Sequence, residues 1–154
     1  MAKFTVLHAC GHEGTHAHSG SEQDRKLREE WLTRQPCQTC WREKQSGAAA
    51  TQSQDWALPA LEGNEDEKGW AEVIRMKAIG FNRDYHKKLT GSPDLGQQDD
   101  TLRLAIISAA DAALRELEEQ RDAAWWVAHR FDSLTHIRTR VAEAITPLME
   151  SKPE

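Results

Sequence analysis

Four residues, Cys10, His12, Cys37 and Cys40, constrain this chain more than any other part of its sequence. They include all three cysteines of the protein. Thiolate and imidazole are the ligands that structural zinc prefers, and two closely spaced pairs, one on a hairpin and one at a helix start, are typical of a tetrahedral site. The sequence therefore predicts one structural zinc ion bound by these four residues.

Other histidines offer alternatives to His12 as the fourth ligand. His8 lies two residues before Cys10 and would face the same side of a strand. His16 and His18 are expected on the returning strand, and together with His8 they form a candidate for a weak second metal site. The spacing alone leaves open whether His8, His16 or His18 replaces His12.

The pair of cysteines has other interpretations. A Cys-x-x-Cys pair also occurs in redox sites, and cysteines are common as small buried residues. A thioredoxin-type pair follows a strand, whereas Cys37 follows an amphipathic segment and Pro36. The deaminase signature needs a glutamate two residues after its histidine, but Glu13 directly follows His12. We therefore expect a closed structural site and no enzymatic activity.

Composition sets the expected compartment and limits the expected partners. A chain of 154 residues fits one domain, or a small module with a helical body. It has no long apolar run and no signal-peptide pattern, so a reduced cytoplasmic protein without a membrane partner is expected. The formal net charge is −5, and residues 1–60 contain seven basic and seven acidic side chains. Because the excess acid follows residue 60, charge alone does not attract the chain to nucleic acid.

Local patterns predict a mainly α fold with a small N-terminal β-hairpin. Lys3–Cys10 and Thr15–His18 have strand composition, Ser21 can cap a helix that ends near residue 34, and Cys37 begins the next helix. This order is typical of a zinc ribbon or treble-clef module. The Gly-, Ala-, Ser- and Gln-rich run over residues 46–55 predicts the end of that helix.

We therefore expect a zinc-binding module over residues 1–47, a linker over 48–61 and a helical bundle over 62–154. Three helices are predicted in the bundle. Asn64 caps the first, Asp100 caps a second of about thirty residues that ends near residue 131, and Ser133 begins the third. Three helices suffice for a small bundle.

Four residues are candidates for a partner-binding surface: Trp126, Arg130, Arg75 and Arg83. Adjacent residues on a helix point about 100° apart, so only one of Trp125 and Trp126 can pack fully in the bundle. An exposed tryptophan marks an interaction surface. The arginines belong to two basic groups mixed with aromatic residues, which form either solvated helix faces or phosphate contacts.

Several motifs follow one another along the chain: Cys10-Gly11-His12, Cys37-x-x-Cys40, Leu58-Pro59-Ala60-Leu61-Glu62-Gly63, Trp70-Ala71-Glu72-x-Ile74-Arg75 and Trp125-Trp126-Val127-x-x-Arg130. Over nearly the whole chain, this order resembles a family of small uncharacterised proteins of bacteria and their phages. The chain departs from that family at residues 64–67 and at Ala128, where the family usually has a Ser-Glu-Lys-Gln type segment and an aspartate. The resemblance implies a zinc-bearing accessory protein and supplies no catalytic residue.

The sequence therefore favours a non-enzymatic, zinc-stabilised binding or adaptor protein of a phage or mobile element. It would act through a protein partner, for example as an inhibitor of a host defence complex. The alternative is a nucleic-acid-binding zinc-finger regulator, and a remote alternative is a zinc-dependent hydrolase or deaminase. The oligomeric state and the partner's identity stay open.

Overall fold

The chain is mainly α-helical and begins with a two-stranded antiparallel hairpin, as the sequence predicts. The structure is a computed structural model that describes residues 2–150, so residues 151–154 of the predicted bundle lie outside it. The chain divides into two compact units, Met1–Ala48 and Ala49–Glu154. No helix within the described residues is long and apolar enough to cross a membrane.

The first unit contains the hairpin and the first helix. Strand β1 is Ala2–Leu7, strand β2 is Glu13–His18 and helix α1 is Glu22–Thr33. Ser21 caps α1, as expected: its hydroxyl accepts a hydrogen bond from the backbone N–H of Asp24 at 3.2 Å, and the Asp24 carboxylate accepts from the Ser21 N–H.

The core of this first unit is small. Among its described residues only Val6, His8 and Leu32 are buried. Val6 and His8 lie on the hairpin face opposite the exposed Leu7. Three buried side chains are too few to stabilise a unit of this size, so its fold needs a further source of stability.

Helix α2, Gln38–Asp55, is longer than the sequence indicated. The run over residues 46–55, predicted to end the helix, is helical because alanine and glutamine are good helix formers and Gly47 weakens the helix by only about 1 kcal/mol. The helix ends in a Schellman motif: the N–H of Leu58 donates to the carbonyl of Ser53, and the N–H of Ala57 donates to that of Gln54.

The second unit contains the remaining helices. They are α3 (Glu65–Thr90), the single turn α4 (Pro93–Gly96), α5 (Asp100–Glu119), α6 (Ala123–Ala128), a 3-10 turn (Asp132–Thr135) and α7 (His136–Glu150). Asn64 caps α3 as predicted, and the carboxylate of Asp99, one residue before the predicted start, caps α5.

The predicted thirty-residue helix is wrong, because the chain breaks between α5 and α6. The carbonyl of Arg121 accepts from the N–H of Glu62 at 2.7 Å, and the Glu62 carbonyl accepts from the N–H of Ala123 at 2.9 Å. These hydrogen bonds to Glu62 take the place of the backbone hydrogen bonds that would continue α5 into α6. The Asp122 carboxylate then caps α6 through the N–H of Ala124.

Two apolar clusters form the core of this unit. The first lies around α3 and α6 and contains Leu61, Ala71, Ile74, Ala78, Ile79, Leu117, Ala123 and Trp126. The second lies mainly between α5 and α7 and contains Leu95, Leu102, Ile106, Ala110, Ala113, Ile137 and Val141.

Candidate metal centre

Cys10, His12, Cys37 and Cys40 lie together in the first unit. Their ligand atoms all lie within 4.8 Å of one another. The Nδ1 atom of His12 is 3.3 Å from the Cys40 Sγ and 3.7 Å from the Cys37 Sγ. The two predicted ligand pairs, Cys10 with His12 and Cys37 with Cys40, are separated in the sequence but adjacent in the fold.

The turn between β1 and β2 carries Cys10 and His12. The His8 N–H donates to the carbonyl of His12 at 2.9 Å, and the Gly11 N–H donates to the carbonyl of His8 at 2.8 Å. Gly11 has a φ of +80°, a conformation that favours glycine, although a Cβ there would meet no other atom within 4 Å. The glycine is therefore required by the backbone conformation of the turn and not by lack of space.

The start of α2 carries the other two ligands. Cys37 acts as the N-cap residue: its carbonyl accepts from the N–H of Trp41 at 2.9 Å, and its sulfur accepts from the N–H of Cys40 at 3.5 Å. The N–H of Cys37 also donates to the Cys10 sulfur at 3.1 Å, which joins the two halves of the site.

The pKa values of Cys10 and Cys40 are shifted in opposite directions. Hydrogen bonds donated by the backbone N–H of Cys37 and then by that of His12 lower the pKa of Cys10 to about 6. The hydrogen bond of the Cys40 thiol with Cys37 is the main cause that raises the pKa of Cys40 to about 12. Three thiolates this close repel one another unless a cation lies among them. A bound divalent metal ion would supply that charge and displace the thiol protons that remain.

The donor set fits zinc. With Zn–S bonds of about 2.3 Å and Zn–N bonds of about 2.0 Å, tetrahedral geometry separates ligand sulfur and nitrogen atoms by about 3.5 Å. The two separations between the His12 nitrogen and the cysteine sulfurs bracket this value. Three thiolates and one imidazole also form a ligand set common in structural zinc sites.

The neighbouring histidines do not join this cluster. The Nδ1 atom of His8 is turned toward the carbonyl oxygens of Leu32 and Gln35, and its Nε2 atom lies 3.0 Å from the Nε2 atom of His16. The buried Nε2 atom of His18 has no hydrogen-bond partner. Of the four candidate histidines, the one that lies in the cluster is His12, the ligand predicted from the sequence.

The side chain of Trp126 is not on the surface of the second unit. Its side chain is completely buried, and its indole N–H donates to the carbonyl of Gln120 at 3.1 Å. Trp125 is the half-buried member of the pair and stacks on the ring of His129. The expectation of Trp126 as a partner-binding residue is therefore wrong: it belongs to the core of the second unit.

Arg75 is also buried, with 1% of its surface exposed. Its guanidinium donates to the Glu72 carboxylate at 2.6 Å, to the hydroxyl of Ser53 at 2.5 Å and to the carbonyl of Pro59 at 2.7 Å. The bonds to Ser53 and Pro59 tie the end of α2 and the segment after it to α3. Arg75 is therefore a structural residue, and its prediction as a contact residue is wrong.

Arg83 and Arg130 remain partly accessible. Arg83 pairs with Glu118 at 2.6 Å and lies over the ring of Trp56 at 4.2 Å. Arg130 is exposed and lies over the ring of Phe131 at 4.7 Å. Both guanidinium groups thus have partners within the chain.

Three tryptophans other than Trp126 are exposed and could not be singled out from the sequence. Trp31, Trp41 and Trp70 expose 54%, 45% and 46% of their surfaces. In the sequence alone, nothing distinguishes these side chains from core residues at helical spacing.

Comparison of the chain with protein-family models, with curated proteins and with solved structures finds no match. The functional interpretation therefore depends on the metal centre and on the surface of the chain.

Proposed function

We propose that Cys10, His12, Cys37 and Cys40 hold one structural zinc ion. The observation that supports this most is the convergence of four ligand atoms within 4.8 Å. The first unit, with three buried side chains among its described residues, gains its stability from such a site, because metal binding free energy becomes folding free energy. With four protein ligands the zinc has no open coordination position, so the proposed role is not enzymatic.

The proposed role of the whole chain is that of a binding or adaptor protein of a phage or mobile element. The resemblance of the motif order to that of small bacterial and phage proteins supports this proposed origin. Zinc-binding thiolates need a reducing compartment, which favours the cytoplasm. One form of the role is inhibition of a host defence complex through protein contacts.

Helix α1 offers the apolar surface for such a contact. Leu27 and Trp31 are four residues apart, so they share one face of the helix, and they expose 61% and 54% of their surfaces. Tryptophan residues are frequent where binding energy concentrates. The rival role in nucleic-acid binding is less favoured, because Arg75 and Arg83 are engaged with Glu72 and Glu118.

The zinc assignment is tested by replacing one ligand and its neighbour. Cys40→Ser removes a thiolate, so the purified variant should lose its zinc and the tertiary structure of the first unit. Thr39→Ser changes an exposed side chain between the same two cysteines and serves as the control. Equal zinc content in both variants, measured by elemental analysis, would refute the assignment.

The partner role is tested by binding under increasing salt. A protein captured from host lysate is first identified and purified, and its affinity is then measured for the wild type and for Trp31→Ala, with Trp70→Ala as the control. We expect a loss confined to Trp31→Ala and a weak salt dependence. Capture of nucleic acid with a steep loss of affinity between 50 and 200 mM salt, roughly a thousandfold or more for several phosphate contacts, would instead support the regulator.

A further inference from the structure

The side chain of His8 lies beside the metal centre but is not part of it. It is 5% exposed, and its Nδ1 atom lies 3.1 Å from the carbonyl oxygen of Leu32 and 3.2 Å from that of Gln35. A carbonyl oxygen only accepts hydrogen bonds, so the hydrogen of a neutral His8 ring is on Nδ1. The Nε2 atom then presents a lone pair to the Nε2 atom of His16, 3.0 Å away.

These contacts close the ligand turn onto the end of α1. The backbone of His8 holds the turn that carries Cys10 and His12, and the next N–H, that of Ala9, donates to the Gln35 carbonyl at 3.1 Å. Gln35 precedes Cys37 by two residues. The His8 ring thus joins the segment that carries one ligand pair to the segment that leads to the other.

We propose that His8 is a positioning residue for the metal centre and sets its affinity for zinc, with His16 holding the ring in place. This inference rests on the proposed zinc site. Residues that orient ligands through hydrogen bonds typically contribute ~10- to 100-fold to metal affinity without touching the metal. His8 acts on the backbone of the ligand turn, so its loss should weaken binding and leave the ligands unchanged.

Gly14 supplies a second, independent way to disturb the pair. A Cβ atom at position 14 would lie 2.7 Å from the His8 Nε2 atom and 3.0 Å from the His16 Nε2 atom. The His8 ring is fixed by two carbonyl groups, so it cannot move away without losing those bonds. Gly14→Ala should therefore weaken metal binding although both histidines remain.

The test measures zinc affinity by competition with a chromophoric chelator and records the absorption spectrum of the cobalt-substituted protein. His8→Ala should bind zinc ~10- to 100-fold more weakly than the wild type. His8→Asn should recover most of the affinity, because its amide N–H can replace the Nδ1–H donor. His18→Ala is the matched control and should bind as the wild type does. All variants should keep the cobalt spectrum of three thiolates and one imidazole.

The results that overturn the inference are distinct from those that overturn the zinc site. Wild-type affinity in both His8→Ala and Gly14→Ala would exclude a positioning role. A changed cobalt spectrum in His8→Ala would make His8 a ligand, and a second cobalt ion lost in His16→Ala would make the pair a metal site of its own. Absence of metal binding in the wild type would overturn the proposed zinc site itself, and the role of His8 with it.

Discussion

Among the described residues other than glycine, Ala57 is the one with a positive φ. Its φ is +53°, in the left-handed region, where it occupies the position after α2 at which Schellman motifs usually have glycine. The left-handed conformation costs a non-glycine residue about 1–2 kcal/mol. Part of that strain disappears with glycine, although glycine makes the unfolded chain more flexible.

Ala57→Gly should therefore raise the free energy of unfolding of the second unit by about 0.5–1 kcal/mol. The measurement is chemical denaturation followed by circular dichroism. Ala50→Gly, at an exposed position inside α2, is the control and should lower helix stability by about 1 kcal/mol. A loss of stability in both variants would contradict the strain at residue 57.

At the scale of single residues, the candidate metal ligands were predictable from the sequence and the burial of Trp126 and Arg75 was not. Cys10, Cys37 and Cys40 are recognisable because metal ligands follow short, chemically specific spacings. The orientation of Trp126 depends on which face of a six-residue helix meets α3, and neighbouring residues in the sequence do not contain that information. The burial of Arg75 likewise depends on its partners. Glu72 lies three residues earlier on the same helix, but the carbonyl of Pro59 reaches the guanidinium only through the fold.

At the scale of elements, one buried amide on α3 organises the start of α7. The Asn82 side-chain oxygen accepts from the N–H of Ile137 at 3.0 Å, and its amide donates to the carbonyl of Ser133 at 2.7 Å. Only 1% of Asn82 is exposed. The amide thus satisfies a free N–H of the first turn of α7 and a carbonyl of the 3-10 turn before it.

Asn82→Ala should lower the free energy of unfolding of the second unit by about 2–3 kcal/mol, because it leaves buried backbone groups without partners. Denaturant titration of the variant measures this loss. Asn64→Ala removes the same side chain from an exposed cap of the same helix, and about 1 kcal/mol is expected there. A cost at residue 82 no larger than that at residue 64 would mean that water satisfies the freed groups.

Glu116 on α5 joins that helix to α7 through charge. Its carboxylate accepts from Arg140 at 2.9 Å and lies 3.0 Å from the Nε2 atom of His136. The hydrogen bond from Arg140 is the main cause that holds the pKa of Glu116 below its ordinary value of 4.5, and the hydrogen bond from His136 adds to the shift. Because the folded state lowers this pKa, the ionised carboxylate stabilises the fold above pH 4.5, and that stabilisation is lost as the pH falls through the folded pKa.

Glu116→Gln should therefore be less stable than the wild type at pH 7, and the two stabilities should converge as the pH falls below about 4.5. Thermal unfolding over a pH series measures the difference. Glu119→Gln removes an equal charge from an exposed position of α5 and should leave the acid dependence unchanged. A difference between wild type and Glu116→Gln that is independent of pH would exclude the ion pair as its cause.

The sequence indicated the existence of most elements and misplaced several of their ends, including that of β1, which was predicted at Cys10 and lies at Leu7. The hairpin, α1 and the caps at Ser21 and Asn64 follow from local patterns that are short and specific. The end of α2 was placed too early because Ala57 occupies a position where glycine is the usual signal. The break after α5 is set by pairing with Glu62, a contact over almost sixty residues that no helical period reveals.

At the scale of the whole molecule, the two units differ in the size of their apolar cores. The described part of the second unit contains two apolar clusters, whereas the described residues of the first unit include three buried side chains and the candidate metal cluster. We propose that a bound metal ion supplies the stability that this small core lacks. In the sequence, the motif with the candidate metal ligands precedes the long helical segments.

Chelation of the metal should therefore unfold residues 1–48 and leave α3 to α7 folded. Amide hydrogen exchange before and after treatment with a strong chelator resolves the two units. Loss of protection should be confined to the hairpin, α1 and the start of α2, and return of zinc should restore it. Uniform loss of protection across both units would contradict separate sources of stability.

X-ray absorption spectroscopy at the zinc edge of the freshly purified protein tests the central claim most directly, because it reports metal identity and ligand atoms together. The proposed site predicts one zinc per chain with three sulfur ligands at about 2.3 Å, one nitrogen at about 2.0 Å and no bound water. Absence of zinc, or a zinc ion with fewer sulfurs and an oxygen in an open position, would contradict a closed structural site.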